Sequence, residues 1–388
     1  MNMETYQDWG FPVPIAYGPG RLREIATLCS ANGMANPLIV TDRGSAGLPF
    51  LAQMQDYLAA AGLKSGLYAN ISPNPRDDEI TGGKASYIDG GHDGIIAIGG
   101  GSGMDGGKAI ALVARNDIDL WAFEYEQAPP DMAGHPAFPP LITVPTTAGT
   151  GAETDSTAMI TDTVRMMKWC IWHPELKPTV ALLDPQITVG LPANLTAWTG
   201  IDAMVHAIEA YCVPGFNPLC DGLALEGLRL VATWLPVAVA EPANIEARGA
   251  MLAGSCLAGI SFIKGLGVVH AISHMVGAEY DTQHGLTNAV ILPAALRHNA
   301  PAIARKVPPM AQAMGLSDTS FDAFYRRVCE VLDQVGIPRT LADIGVPADC
   351  AARIAEKALQ DSAAATNPRP LTAEDIEQII ASALKHGR

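Results

Sequence analysis

No two of the seven cysteines, at positions 29, 170, 212, 220, 256, 329 and 350, are spaced Cys-x-x-Cys, and their number is odd. That excludes a disulfide framework and a thiolate zinc site, and leaves buried or idle thiols. Basic residues are also scarce: 25 Lys and Arg stand against 40 Asp and Glu, for a net charge of −15, and no basic run occurs. Binding a polyanion needs clustered cations, so nucleic acid is excluded as a partner. Aromatics make up 6% and charged residues 17% of the chain, which also lacks repeats and low-complexity linkers. No stretch reaches the roughly twenty uninterrupted apolar residues of a membrane helix, so no membrane association is expected. The opening MNMETYQDWGFPVPIAYG carries acids and prolines where a signal peptide needs a basic start and an apolar core. The expected setting is a reducing cytoplasm.

What is present is 388 residues with 48% hydrophobic content, more than one hydrophobic core usually supports. Up to about residue 190, short apolar runs alternate with helical stretches: NPLIVTD (36–42), DGIIAIGGG (93–101), PPLITVPTT (139–147) and PTVALLDP (178–185). Runs apolar on both faces are the signature of parallel strands covered by helices on both sides. From Leu191 onward such runs almost vanish, and Ala/Leu-rich segments at helical spacing take over. The expectation is an α/β Rossmann-like domain over 1–189 and an all-α domain over 190–388, with the boundary between Pro185 and Pro192. The cleft between two such domains is the default place for a ligand.

In the first half, GIIAIGGGSGMDGGKAIALVAR (94–115) reads as strand, glycine turn and helix. Glycines let backbone N–H groups approach a pyrophosphate, and the helix N-terminus adds unpaired donors and partial positive charge. The usual dinucleotide fingerprint opens the first βα unit and is followed by the ribose acid. Here the strand-end acid, Asp42, comes before the motif. A P-loop fails as well, because Lys108 is followed by Ala109. The loop from Thr143 through Thr146, Thr147 and Thr150 combines hydroxyls with glycines at a strand end and suits phosphate or ribose contacts. Asp42 would accept from adenosine ribose hydroxyls and repel a 2′-phosphate, favouring NAD over NADP.

In the second half, Asp202 and His206 are four residues apart on an otherwise apolar helix, and Glu209 follows three later. His270 and His274 repeat the i, i+4 spacing, and His284 comes ten residues on. A single such histidine is most simply a hydrogen-bonded core residue. Five candidate ligands in apolar surroundings are better explained by a cation, since buried polar groups need partners. Imidazoles with one carboxylate and no thiolate suit Fe(II) or Zn(II). Spacing does not choose among the five, and Glu209 reads as a packing carboxylate or one that orients a ligand.

The segments GGGSGMDGGKA, TVPTTAGTGAE, TGIDAMVHAIEAY and GVVHAISHMVGAEYDTQHGLTNAVILP resemble the group III, iron-containing alcohol dehydrogenase family, in order and spacing, over about residues 10 to 385. The tail ATNPRPLTAEDIEQIIASAL is similar to that family's C-terminal stretch. The resemblance implies the dehydroquinate synthase-like fold of a Rossmann-like domain and a helical domain. It assigns the metal to Asp202, His206, His270 and His284, and makes His274 the catalytic proton relay beside the nicotinamide. Its cofactor positions fall on Asp42, Asn74, Gly100, Gly101, Ser102, Asp105, Thr143, Thr146, Thr147, Thr150 and Lys168.

The implied activity is reversible, NAD(H)-linked hydride transfer between a small primary alcohol and its aldehyde, in a homodimer or larger homo-oligomer. Departures from the family pattern bear on the substrate. Gly103, Gly106 and Gly107 stand in the glycine turn and are expected to alter it. ISFIKGLG carries Lys264 before the third ligand, and Ala294 stands where a histidine is common. Thr157, Ser261 and Lys264 are candidate substrate contacts, and Lys264 or Arg165 would favour an acidic or phosphonate-bearing aldehyde. Rivals within the fold are polyol dehydrogenases, maleylacetate reductases and dehydroquinate synthase-like enzymes. From another class, the rival is a non-catalytic nucleotide- or metal-binding protein.

Overall fold

Gly94–Gly99 is buried at every residue, and Pro37–Asp42 at all but its last. Strands with no polar face are stable only inside a sheet covered on both sides. The computed structural model describes residues 13–165 and 167–388 and places them so. The first twelve residues, on which the reading of an absent leader mainly rests, lie outside those described.

Among the described residues one sheet contains β1 (Ile15–Tyr17), β2 (Pro37–Asp42), β3 (Gly66–Ile71), β4 (Gly94–Gly99), β5 (Leu141–Pro145) and β8 (Val180–Leu183). Their order is β1-β8-β5-β4-β2-β3, all pairs parallel. The α-helices of this half are α1 (Ile25–Ala31), α2 (Pro49–Ala60), α3 (Asp77–Asp89) and α4 (Gly101–Val113). One apolar cluster packs Ile95, Ala97 and Leu38 against Ile110 and Ile80; another packs Ile96, Ile98 and Ile39 against Met54 and Ile25. Alternate residues of one strand thus serve opposite layers, which explains its unbroken apolar run. The four strands read from the sequence are β2, β4, β5 and β8. An antiparallel hairpin of β6 (Thr157–Asp162) and β7 (Met167–Trp172) was not foreseen. β6 alternates half-buried and buried residues, but its sequence sets Met159 at a half-buried position and Asp162 at a buried one, and β7 is half-buried at all but Ile171, so residue polarity carries no period-two signal.

The glycine turn also differs from expectation. Gly103, Gly106 and Gly107 lie inside α4, not in the turn. A Cβ on Gly107 would sit 2.5 Å from the Ala97 Cβ, and one on Gly106 would sit 2.7 Å from Ile71 side-chain atoms. Their absent side chains let the helix close on the sheet.

From residue 189 the described elements are helical: α5 (Ala193–Cys212), α6 (Pro218–Ala240), α7 (Ile245–Ser261), α8 (Val268–Tyr280), α9 (His284–Ile303), α10 (Val307–Ala313), α11 (Phe321–Gln334), α12 (Ala351–Ala358), α13 (Ser362–Ala365) and α14 (Ala373–Lys385). Their core runs through Ile201, Met204, Val205, Ile208, Leu228, Leu235, Ile272, Val290 and Ile380. Among the described residues α6 is the one single helix long and apolar enough to span a membrane by length and composition. It contributes Leu228, Val231, Ala232 and Leu235 to this core instead.

Two units emerge: residues 13–147 with 152–188, and residues 148–151 with 189–388. Nothing in the composition of 148–151 marks that excursion. Its cause is close packing, since Gly151, at φ 67, would place a Cβ 2.4 Å from the Gly259 Cα of α7.

Candidate metal centre and nucleotide site

Helical periodicity places Asp202 and His206 one turn apart on α5, and both are buried. His270 lies in the first turn of α8. That helix ends at Asp281, whose φ of 52 is a left-handed conformation that aspartate tolerates. His284 then opens α9, with the Gln283 side chain accepting from Leu286 N. Four ligand atoms, one each from Asp202, His206, His270 and His284, all lie within 4.8 Å of one another. The Nε2 atoms are 4.0, 3.8 and 3.5 Å from Asp202 Oδ1 for His206, His270 and His284 respectively.

The other ring nitrogens are already engaged. His206 Nδ1 is 3.2 Å from Gly149 O, a pure acceptor, so the proton is on Nδ1. His270 Nδ1 meets Glu209 Oε2 at 2.7 Å. His284 Nδ1 lies 3.2 Å from Ser273 Oγ, which itself donates to His284 O at 3.3 Å. Each ring therefore turns its Nε2 atom toward Asp202. A carbonyl, a carboxylate and a hydroxyl on the far nitrogens are the supports metal-bound imidazoles need.

Against these converging acceptors stands the Asn288 amide, whose Nδ2 is 2.7 Å from Asp202 Oδ1, 3.2 Å from His270 Nε2 and 3.1 Å from His284 Nε2. Two amide hydrogens cannot satisfy three acceptors and leave the His206 lone pair unanswered. Asn288 Oδ1 is itself buried without a partner. A divalent cation would satisfy all four ligand atoms at once, so the donor set fits the metal. Burial, then the neighbouring His206, His284 and His274, holds the His270 imidazole well below the ordinary histidine value, in the neutral form a ligand requires.

Glu209 supports this arrangement from behind. It accepts from Gly267 N at 3.1 Å and Val269 N at 2.8 Å, and so caps α8 while holding His270. Burial pushes its carboxyl up to about 8, opposed by the backbone N–H groups of Val269, Gly267 and His270. A bound cation would draw it down. His274 lies beside the cluster, its ring near-parallel to His284 (12°, centroids 5.4 Å apart), with Nδ1 2.8 Å from Asp361 Oδ2.

In the α/β unit the strand ends bring most of the expected nucleotide residues together. Asp42 accepts from Ser45 N at 3.0 Å and Ser45 Oγ at 2.8 Å. A Cβ on Gly99, at φ 147, would lie 2.8 Å from Asp42 Oδ2, so the acid rests against the glycine turn. Gly100 precedes α4 in an extended conformation and offers no side-chain cap, so Gly101 and Ser102 start the helix uncapped by it. Ser102 Oγ donates to Pro73 O at 2.6 Å, and Lys168 Nζ donates to Asn74 Oδ1 at 3.3 Å, which gathers loop 73–74, α4 and β7. Thr146 N donates to Gly99 O at 2.9 Å, and Thr147 lies against Gly100. Thr150 sits in the excursion 148–151.

Other expected residues are used elsewhere. Thr143 has no exposed surface and donates to Glu153 O at 2.8 Å, so its hydroxyl is used within the strand core. Asp105 accepts from Met159 N at 3.2 Å and pairs with Lys108 at 3.3 Å, which turns its carboxylate into the fold. Burial opposes the charge on Lys108, but Asp155 and Asp105 outweigh it and hold the ammonium above its ordinary pKa.

The substrate candidates change most. Ser261 is fully buried and donates to Ala258 O at 2.7 Å. The Lys264 ammonium lies 2.5 Å from Asp221 on α6, with its side chain 5% exposed, so it is not an open cation for a substrate. Burial, partly offset by Asp221, lowers its pKa. Arg165 pairs with Asp162 at 3.4 Å. Thr157 opens β6, paired with Trp172. The sequence reading missed Asn288, Ser273, Gly149 O and Asp361. Only Asn288, four after His284, left a spacing signal.

A parallel nucleotide-type sheet and a helical unit with a three-histidine, one-carboxylate centre define a metal-dependent dinucleotide dehydrogenase. Two family models match: iron-containing alcohol dehydrogenase over residues 12–185, and the Fe-containing alcohol dehydrogenase family C-terminal region over 196–384. The chain belongs to the iron-containing alcohol dehydrogenase family. It is 36% identical to the NAD-dependent methanol dehydrogenase of Bacillus methanolicus, over 96% of this chain and 98% of that one. Identity to the 1,3-propanediol dehydrogenase of Klebsiella pneumoniae is 35%, over 98% and 100%. A solved 1,3-propanediol oxidoreductase superposes with a TM-score of 0.93 at 33% identity, covering 98% of this chain and 100% of that one.

Proposed function

We propose that the protein is an NAD(H)-linked dehydrogenase that interconverts a small, uncharged primary alcohol and its aldehyde, with Fe(II) as resident ion. The observation that carries the reading is the set of three imidazoles whose Nδ1 atoms are all engaged, leaving three Nε2 lone pairs and the Asp202 carboxylate around one point. When bound, the ion supplies Lewis acidity at the substrate oxygen and the nicotinamide gives or takes the hydride. Asp202, His206, His270 and His284 would hold the ion. Asn288 Nδ2 steadies Asp202, and Glu209 and Gly149 O fix two of the rings. His274, with Nδ1 occupied by Asp361, has Nε2 left to exchange the alcohol proton with solvent.

Two preferences follow from charge. The Asp42 carboxylate at the end of β2 favours NAD, because it would repel a 2′-phosphate. Lys264 is committed to Asp221 and Arg165 pairs with Asp162, which weakens the case that either cation made for an acidic aldehyde. The test strips the protein with a chelator, reloads it with Fe(II) or Zn(II), and follows NADH with methanol, ethanol, 1-propanol and 1,3-propanediol. Iron-restored turnover on this panel is expected. Metal uptake without NADH formation from any of these alcohols would refute the reading.

A further inference from the structure

Asp361 stands immediately before the four-residue helix α13, and its two carboxylate oxygens do different things. Oδ1 accepts from Ala363 N at 2.9 Å, while Oδ2 lies 2.8 Å from His274 Nδ1. Both side chains are largely buried, at 9% and 15% exposure for Asp361 and His274. The segment that carries Asp361 is tied along the start of the histidine-bearing helix. Thr366 Oγ1 accepts from Leu266 N at 3.2 Å and donates to Leu266 O at 2.8 Å. Asn367 Oδ1 accepts from Val268 N at 3.2 Å, and the Asn367 amide also bonds Asn299.

We infer that Asp361 is a positioning residue that sets which ring nitrogen of His274 carries the proton and holds the ring against His284. A carboxylate only accepts, so the hydrogen between the two groups belongs to Nδ1. The neutral ring is then the Nδ1–H tautomer, and its base is Nε2. Without the carboxylate, either tautomer would be open to a ring held by its contacts with His284 and His270. The tertiary bond therefore does for the relay what Glu209, Gly149 O and Ser273 do for the three ligand rings. This inference rests on the proposed role of His274 as proton relay, while its structural content stands apart from that role.

The competing explanation is that Asp361 is only the N-cap of α13. Asparagine separates the two, because it caps a helix about as well as aspartate. In Asp361→Asn, Oδ1 still serves Ala363 N, but the amide offers a donor to His274 Nδ1. The neutral ring must then take its lone pair to Nδ1 and its proton to Nε2. Asp361→Ala removes both bonds.

The experiment uses zinc-loaded, full-length protein with ¹⁵N-labelled histidine, with the His274 resonances assigned from His274→Gln. Long-range proton–nitrogen spectra are expected to show the Nδ1–H tautomer in the parent and the Nε2–H tautomer in Asp361→Asn. Metal content and thermal midpoint should stay at parental values in that variant, and kcat of the iron-reloaded protein should fall on the order of 100-fold with little change in KM. An unchanged tautomer with parental kcat in Asp361→Asn overturns the inference. So does a defect confined to Asp361→Ala and accompanied by a lowered thermal midpoint, which assigns Asp361 to capping alone. If the iron-reloaded parent turns over no alcohol while the tautomers invert as expected, the positioning role stands and the proposed function falls.

Discussion

Glu209 Oε2 lies 2.7 Å from His270 Nδ1, and the same carboxylate accepts the backbone N–H groups that open α8. One side chain thus caps a helix and orients a metal ligand. Glu209→Gln keeps an acceptor but introduces an amide donor where His270 requires an acceptor. Metal affinity is expected to fall about 10- to 100-fold. Competition with a chromophoric chelator measures this; affinity equal to the parent's would show that His270 is oriented by packing alone.

Asp42 is held by Ser45 beside Gly99. Asp42→Asn removes its charge and keeps an acceptor for Ser45 N. The ratio of kcat/KM for NAD over NADP should drop at least about tenfold, roughly 1.4 kcal/mol. Initial rates with the two cofactors decide it. An unaltered ratio would place the source of cofactor choice elsewhere.

Lys264 and Lys306 share Asp221, at 2.5 and 3.0 Å. Lys264→Ala leaves Asp221 with one remaining lysine, so the loss of stability should be moderate, about 1 to 3 kcal/mol, read from urea unfolding. The relative rates on neutral and anionic aldehydes should not change. A selective loss of activity on the anionic aldehyde would return Lys264 to the substrate site.

Burial pushes the Glu153 carboxyl up to about 7, with Asp155 adding to the rise and Lys108 opposing it. A folded-state pKa above the unfolded one contributes stability in full below the ordinary carboxyl range. That contribution is lost as pH rises through about 7. The parent should therefore lose up to about 3 kcal/mol between pH 4.5 and pH 8 from this group. Glu153→Gln should flatten that part of the curve. Thermal midpoints across the range test it, and parallel curves for parent and variant would contradict the assignment.

How much was legible follows the range of the interactions. The covered strands announced themselves because a strand buried on both faces has to be apolar throughout, as Gly94–Gly99 is. Asp202 with His206, and His270 with His274, were legible because helical geometry alone brings i and i+4 together. Choosing four ligands from five was not legible from spacing, and came from the family pattern. The Lys264 ion pair was not legible because a lysine's sequence position does not reveal its partner, and Asp221 lies 43 residues earlier. The partners of Thr143 and Asp105 were illegible for the same reason: Glu153 O, Met159 N and Lys108 are brought to them by the fold.

By itself the sequence determined the class of fold, the strand ends on which the expected nucleotide residues fall, and the helical faces that bear the candidate metal ligands. Each is a consequence of local periodicity or of residue chemistry at fixed spacing. Tertiary structure alone decided which acceptor meets the Nδ1 atom of His206, His270 and His274. Gly149 O is 57 residues from His206, Glu209 is 61 from His270, and Asp361 is 87 from His274. A tautomer is fixed by whichever acceptor the folded chain delivers to one nitrogen, and no spacing rule carries that information.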